Sequence, residues 1–86
     1  LSEANRALES MVDVPLSESE HAAYLSFVYN AGAGRFQTST MRKYLNAGKR
    51  FEACDELMRW VYIKKQYSAG LARRRLAEST LCKRQL

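Results

Sequence analysis

The stretch from His21 to Phe36, HAAYLSFVYNAGAGRF, constrains this chain more than any other. From Ala22 to Tyr29 it is apolar or aromatic on nearly every side, broken only by Ser26. A helix with no polar face must be wrapped by other elements. The glycines of Asn30-Ala31-Gly32-Ala33-Gly34 supply the left-handed conformations that stop a helix. The stretch reads as the central helix of a small helical lobe, with Ala22, Leu25 and Val28 in the core and its glycine-rich loop at the lobe's edge.

The rest of the chain supplies the wrapping. Leu1, Ala4, Leu8, Met11 and Val12 recur at helical spacing and leave Glu3, Arg6 and Glu9 to solvent. No cap precedes this helix, so it reads as already under way at Leu1, as in a fragment. Pro15 ends it, and Ser17 with Glu20 makes a capping box for the central helix. Thr38, Ser39 and Thr40 offer an N-cap for a short helix carrying Met41, Tyr44 and Leu45, which Asn46-Ala47-Gly48 stops. From near Arg50, Phe51, Cys54, Leu57, Met58 and Val61 form one face, with Trp60 and Tyr62 beside it. Residues 64–70 read as a polar connection. A last helix, from about Leu71 to Lys83, turns Leu76, Ala77 and Leu81 inward. There are no alternating runs and no internal repeats. The expectation is an all-α fold of about five helices around the central one, with residues 1–12 as a leading helix and residues 13–86 as the lobe.

Eighty-six residues allow one domain with a modest core. The net charge of +5 suits polyanionic partners, either nucleic acid or an anionic bacterial envelope. Nothing approaches a run of about eighteen apolar residues, so no membrane span is expected, and the opening LSEANRALES is too polar for a signal peptide. With two cysteines and a single histidine, a four-ligand zinc site is not expected. No metal or other cofactor is indicated. Two reduced core thiols or one disulfide are both open to Cys54 and Cys82 at this point.

Glycoside hydrolysis needs two carboxyl groups flanking the scissile bond, yet the acidic residues have structural duties. Glu18 and Glu20 suit a helix N-terminus, Glu3 and Glu9 lie on a polar face, Asp55 and Glu56 diverge, and Glu78 pairs with an arginine. His21 reads as a packed or capping residue. No Ser sits in a GxSxG turn, and no strand precedes the Gly-Ala-Gly to make it a phosphate loop. No catalytic residue is assigned. Arg73, Arg74 and Arg75 spread over about 300 degrees of a helix, which reads as one paired and two solvated side chains. They also lack the interleaved amides that read bases, so nucleic acid is not the expected partner.

Several residues follow in a familiar order: Phe27-Val28-Tyr29-Asn30-Ala31-Gly32, Phe36, Ser39-Thr40, Leu45-Asn46-x-Gly48, Ala53, Trp60 and Gly70-Leu71-x-x-Arg74-Arg75-x-x-Glu78-x-x-Leu81. From Asp13 to Leu81 this resembles the C-terminal lobe of the phage-type lysozymes, glycoside hydrolase family 24, and most of all the endolysins of phages that infect Gram-negative bacteria. The resemblance implies an enzyme that cleaves peptidoglycan between N-acetylmuramic acid and N-acetylglucosamine. Such enzymes carry their catalytic Glu, the Asp after it and a Thr in an N-terminal lobe, near Gly-x-Gly-His, and none of that motif is here. Leu1–Val12 then corresponds to the end of the helix that joins the lobes. The usual glycine pair after the Trp is replaced by Ile63-Lys64-Lys65.

On this resemblance the lobe binds peptidoglycan glycan strands on a face centred on Phe27, Tyr29 and Asn30, with Ser39 from the next turn. Aromatic surface suits sugar rings, and amide and hydroxyl groups suit their substituents. The catalytic part would come from a separate N-terminal fragment, and the setting is the host periplasm or envelope during lysis. In that oxidising setting Cys54 and Cys82 are expected to be bonded, if their helices bring them to one seam. The alternative is a lysozyme-derived lobe without catalysis, a binding or regulatory protein that docks to a protein or nucleic-acid partner.

Overall fold

Ser17 sets where the central helix begins. In the computed structural model, which describes residues 3–86 and for Ile63 the backbone alone, Ser17 Oγ accepts from the Glu20 amide at 3.2 Å. Glu20 Oε1 in turn accepts from the Ser17 amide at 2.9 Å. That reciprocal capping box opens α2, Glu18–Ala31. The fully buried Glu20 carboxylate also receives Arg50 Nε at 2.9 Å and a second bond from its Nη2. Gln85 closes the same helix end, its Oε1 accepting from the Ser19 amide at 3.0 Å and from Ser19 Oγ at 2.8 Å.

Beyond its cap α2 buries Ala23, Tyr24, Phe27 and Val28. Ala22, Tyr29 and Asn30 are exposed and Leu25 is half-buried, so the helix is wrapped on one broad side and not all round. Its apolar run outnumbers the partners available to cover it. Gly32, at φ 104°, ends α2 as expected. The presumed glycine-rich loop is instead a further short helix, α3, Ala33–Gln37, with Gly34 inside it and Phe36 buried against Tyr24 and Phe27.

Ser39 caps α4, Thr40–Asn46, and Gly48 at φ 83° turns the chain away. Asn46 reaches back to α1, Glu3–Met11: its Nδ2 donates to Met11 O at 3.0 Å and its Oδ1 accepts from the Asp13 amide at 2.7 Å. Those bonds satisfy groups freed where α1 ends. Leu8 and Met11 point inward, while Glu3, Arg6 and Glu9 are exposed. The expected place of Leu1 on this stripe lies outside the described residues.

The face of α5, Arg50–Glu56, differs from expectation. It is Arg50, Ala53, Cys54 and, in the following 3₁₀ turn Leu57–Arg59, Leu57 that face inward. Anchoring of Arg50 on buried Glu20 sets the rotation of the helix, and the residues at i+3, i+4 and i+7 follow it. Phe51 and Met58 are thereby turned out and exposed; Lys83 Nζ lies 4.5 Å from the Phe51 ring centroid.

Residues 64–70 are not a plain connection either. Strands β1, Tyr62–Ile63, and β2, Gln66–Tyr67, pair antiparallel around a two-residue turn. Lys64 and Lys65 sit there at φ 50° and 68°, the positive values that a two-residue hairpin of this twist requires. Ser68 then caps α6, Ala69–Lys83. Its inward residues are Arg75, Glu78, Ser79 and Cys82, while Leu76 and Ala77 are exposed and Leu81 is half-buried. The apolar residues mis-set the phase because the buried stripe of this helix is polar and internally satisfied.

Helix α6 lies along α2, its most extensive contact, and meets α5 where Cys54 and Cys82 are joined, with Cα atoms 5.7 Å apart. Closing a loop over this 28-residue separation removes unfolded-state entropy equivalent to about 3–4 kcal/mol in the chain-entropy account. The described residues thus form an all-α lobe of six α-helices, a 3₁₀ turn and one short hairpin. No helix among them is long and apolar enough to cross a membrane.

Burial raises the Glu20 pKa, but hydrogen bonds from Arg50 and Ser17 outweigh it and hold the carboxyl below its ordinary value. A carboxyl so shifted stabilises the fold above its unfolded pKa and loses that contribution as pH falls through the folded one. Thermal unfolding should therefore show stability declining below a pH of about 4.3. Glu20→Gln should be weaker at neutral pH by about 2 kcal/mol and should lose less on acidification; an unchanged acid limb would refute this role.

Candidate functional site

The C-terminal end of α2 carries most of the residues expected to contact a ligand, and the structure separates them. Phe27 is fully buried, 5.2 Å from the Trp60 ring centroid in an edge-on contact, and the Arg75 guanidinium lies 4.8 Å from its own ring. It supports the surface and offers none. Ser39 is 6% exposed; its Oγ donates to Phe36 O at 2.7 Å and accepts from the Arg42 amide at 3.1 Å, so both functions of the hydroxyl hold the α4 cap. Tyr29, 77% exposed, borders a shallow hollow with Glu3, Ala4, Ala7, Val28 and Ala33. Asn30 lines a different groove. One residue of helix is about 100 degrees of rotation, which is why these neighbours diverge.

Arg75 organises the Asn30 groove. Only 2% exposed, it donates from Nε to Trp60 O at 3.0 Å, from Nη1 to Glu78 Oε1 at 2.7 Å and from Nη2 to Asn30 Oδ1 at 2.6 Å. The other Glu78 oxygen accepts from Ser26 Oγ at 2.6 Å and pairs with Arg74 Nε at 3.4 Å. A buried ion pair is tolerable when its remaining donors and acceptors are met, and the planar fork of arginine meets three partners at once. Because a guanidinium can only donate, the Asn30 atom facing it must be the carbonyl oxygen. The Asn30 Nδ2 amide is thereby committed to the opposite arm as a donor.

The groove encloses about 430 Å³ and is lined by Asn30, Arg35, Trp60, Tyr62, Lys64 and Arg75 among others. Its makeup is an aromatic wall, one oriented amide and a cationic margin. Of these, sequence reasoning singled out only Asn30 for binding. Trp60 and Arg75 stood in the motif without a role, and nothing local marked Arg35, Tyr62 or Lys64. The three consecutive arginines divide: Arg75 inward, Arg74 on Glu78 and Ser26, Arg73 exposed. Two of the three are paired, not one. Both buried carboxylates, Glu20 and Glu78, are committed to arginines, and no cluster among the described residues could hold a metal ion.

Residues 1–78 match the Phage lysozyme family. The chain belongs to that family. It is 40% identical over 77 residues to the SAR-endolysin of Bacteriophage PS119, a match covering 90% of this chain and 46% of that protein. Its structure superposes on an endolysin from Escherichia coli O157:H7 phage FAHEc1 with a TM-score of 0.89 at 27% identity, covering 98% of this chain and 56% of the other. It also matches the muramidase domain of SpmX from Asticaccaulis excentricus, with a TM-score of 0.86 at 28% identity, covering 93% and 57% of the two chains. The chain spans about half the length of these relatives. In this phage-lysozyme family member the Gly70–Leu81 part of the motif supplies the α6 stripe beneath the groove, with Arg75 and Glu78 as its buried charges.

Glu78→Gln removes the counter-charge of a buried guanidinium and should cost about 3 kcal/mol in urea unfolding. An Arg75→Met/Glu78→Leu pair should recover much of that loss. Losses that simply add in the double-mutant cycle would show that the two charges are not coupled.

Proposed function

We propose that this chain is the substrate-binding lobe of a peptidoglycan-hydrolysing phage lysozyme. The complete enzyme would cleave the glycan between N-acetylmuramic acid and N-acetylglucosamine. The observation that carries the reading is the Asn30 amide, turned by Arg75 so that Nδ2 is the donor, beside Trp60 and Tyr62. Sugars bind through ring faces on aromatic walls and through a few fixed polar groups. An N-acetyl carbonyl or a hydroxyl is the natural acceptor for that amide.

Hydrolysis by this route requires a protonated carboxyl group and a second carboxylate. With Glu20 and Glu78 each engaged by an arginine, neither is placed to give a proton to a substrate, and the reading assigns the donor to a second lobe. The hollow of Glu3, Ala4, Ala7, Val28, Tyr29 and Ala33 is where such a lobe would rest, and Tyr29 serves there as a contact between lobes. The name SAR-endolysin borne by the relatives supports an envelope or periplasmic setting during lysis. The three-way division of Arg73, Arg74 and Arg75 leaves no continuous basic face on α6 for nucleic acid.

Titration with chitotetraose followed by NMR should shift resonances of Asn30, Trp60 and Tyr62, with affinity around millimolar because half a cleft covers only part of the chain. Asn30→Asp keeps an acceptor for Arg75 and deletes the Nδ2 donor, and should weaken binding about tenfold. Shifts confined to the exposed side of α6, or an indifferent Asn30→Asp, would overturn the placement.

The 86 residues alone should not clear a peptidoglycan suspension, since loss of a general acid costs on the order of 10²–10⁴ in rate and more when the site acts as a unit. Clearing at the rate of an intact lysozyme would refute the division of labour.

A further inference from the structure

Charge on this chain is segregated. Five of its nine acids, Glu3, Glu9, Asp13, Glu18 and Glu20, fall within residues 1–20, where Arg6 is the one cation. Residues 57–77 contain no Asp or Glu and carry Arg59, Lys64, Lys65, Arg73, Arg74 and Arg75. Arg59 is met by Glu56, and Arg74 and Arg75 share Glu78. Among the described residues Lys64, Lys65 and Arg73 have no carboxylate partner, and all three are exposed.

Two of those cations stand at the tip of the 62–67 hairpin. Its register sets Tyr62 directly opposite Tyr67, so both rings stand on one face of the ribbon, edge-on at 6.2 Å. Neither ring is covered: Tyr62 is 60% and Tyr67 63% exposed. Tyr62 borders the groove beside Asn30, whereas Tyr67 lies outside it and flanks a separate open hollow with Lys64, Gln66 and Ser68. A glycan in the groove therefore leaves Tyr67 and Lys65 without a task. The base of the ribbon is closed by the Ser68 amide, which donates to Val61 O at 2.8 Å. At the tip, Lys64 and Lys65 hold φ 50° and 68°, where Gly, Asn or Asp is the unstrained choice.

We propose that this hairpin docks the lobe on an anionic bilayer surface. Tyr62 and Tyr67 sit at headgroup depth, and Lys64 and Lys65 reach the lipid phosphates. Tyrosine and lysine each join an apolar body to a polar tip, which suits a boundary that is apolar on one side and wet on the other. A protein partner is the poorer match, because interfaces between proteins are enriched in arginine and depleted in lysine. An anionic surface also repels the acid-rich residues 1–20, so its field turns the hairpin towards it. The contact is peripheral and does not require the groove to be the glycan site.

The test is co-sedimentation of the 86-residue chain with vesicles of phosphatidylcholine alone or of equal parts phosphatidylcholine and phosphatidylglycerol. The chain should sediment with the mixed vesicles and not with the neutral ones, and added salt should release it. Lys64→Gly with Lys65→Gly suits the positive φ of both positions and should weaken binding by about fivefold per lysine. Tyr67→Ser should weaken it further, whereas Tyr67→Trp, or arginine at both lysine positions, should preserve it. In anionic bicelles the NMR shifts should centre on residues 62–67. Equal binding to neutral vesicles, binding that survives the glycine pair, or shifts centred elsewhere overturns the proposal. So does an equal response of the hairpin to poly-glutamate, which assigns the face to an acidic polypeptide. A response to concentration of the lipid-free chain assigns the face to a second copy and likewise overturns it.

Discussion

A buried guanidinium is the interaction on which this lobe depends. Arg75 ties α6 to the end of α2 through Asn30 and to the start of the hairpin segment through Trp60 O, while Glu78 neutralises it and takes in Ser26. In a medium of low polarity each of those bonds is stronger than in water, and each partner left unmet is costlier. The network therefore behaves as a unit. It also serves the groove directly, since the same Nη2 that satisfies Asn30 decides which face of the amide the groove sees.

A second charged anchor does for α5 what Arg75 does for α6. Glu20 caps its own helix and holds Arg50, which rotates α5 so that Ala53, Cys54 and Leu57 enter the core. Cys54 then meets Cys82 across the α5–α6 seam. A lobe of this size buries limited apolar surface, so two polar anchors and a covalent link carry a large share of its definition. The aromatic cluster of Tyr24, Phe27 and Phe36 fills the space that these constraints enclose.

The parts legible in the sequence were those set by a few adjacent residues. Ser17 with Glu20, Ser39 before α4, and Gly32 and Gly48 at helix ends all act within one turn of chain, and their residue types allow little else. The phases of α5 and α6 were not legible. Leu76 and Ala77 looked inward and Phe51 and Met58 looked buried because apolarity was the guide, whereas rotation is set by Arg50 and Arg75 pairing with residues 30 and 45 positions away. The hairpin was hidden for a related reason: lysines at positive φ carry no turn signature of their own.

For the candidate site, Asn30 was legible as the polar residue at the end of an apolar helix, and Tyr29 as an exposed aromatic only by its neighbourhood. That Phe27 is beneath the surface and Ser39 is consumed by its cap depends on packing around them, which no spacing rule contains. Local chemistry by itself determined that this chain makes short capped helices around His21–Phe36, and its motif marks the phage-lysozyme family. Only the tertiary structure decided which side of each helix is covered and which cations stay unpaired. Both are outcomes of long-range ion pairing, in which a single buried charge outweighs the preference of several apolar side chains.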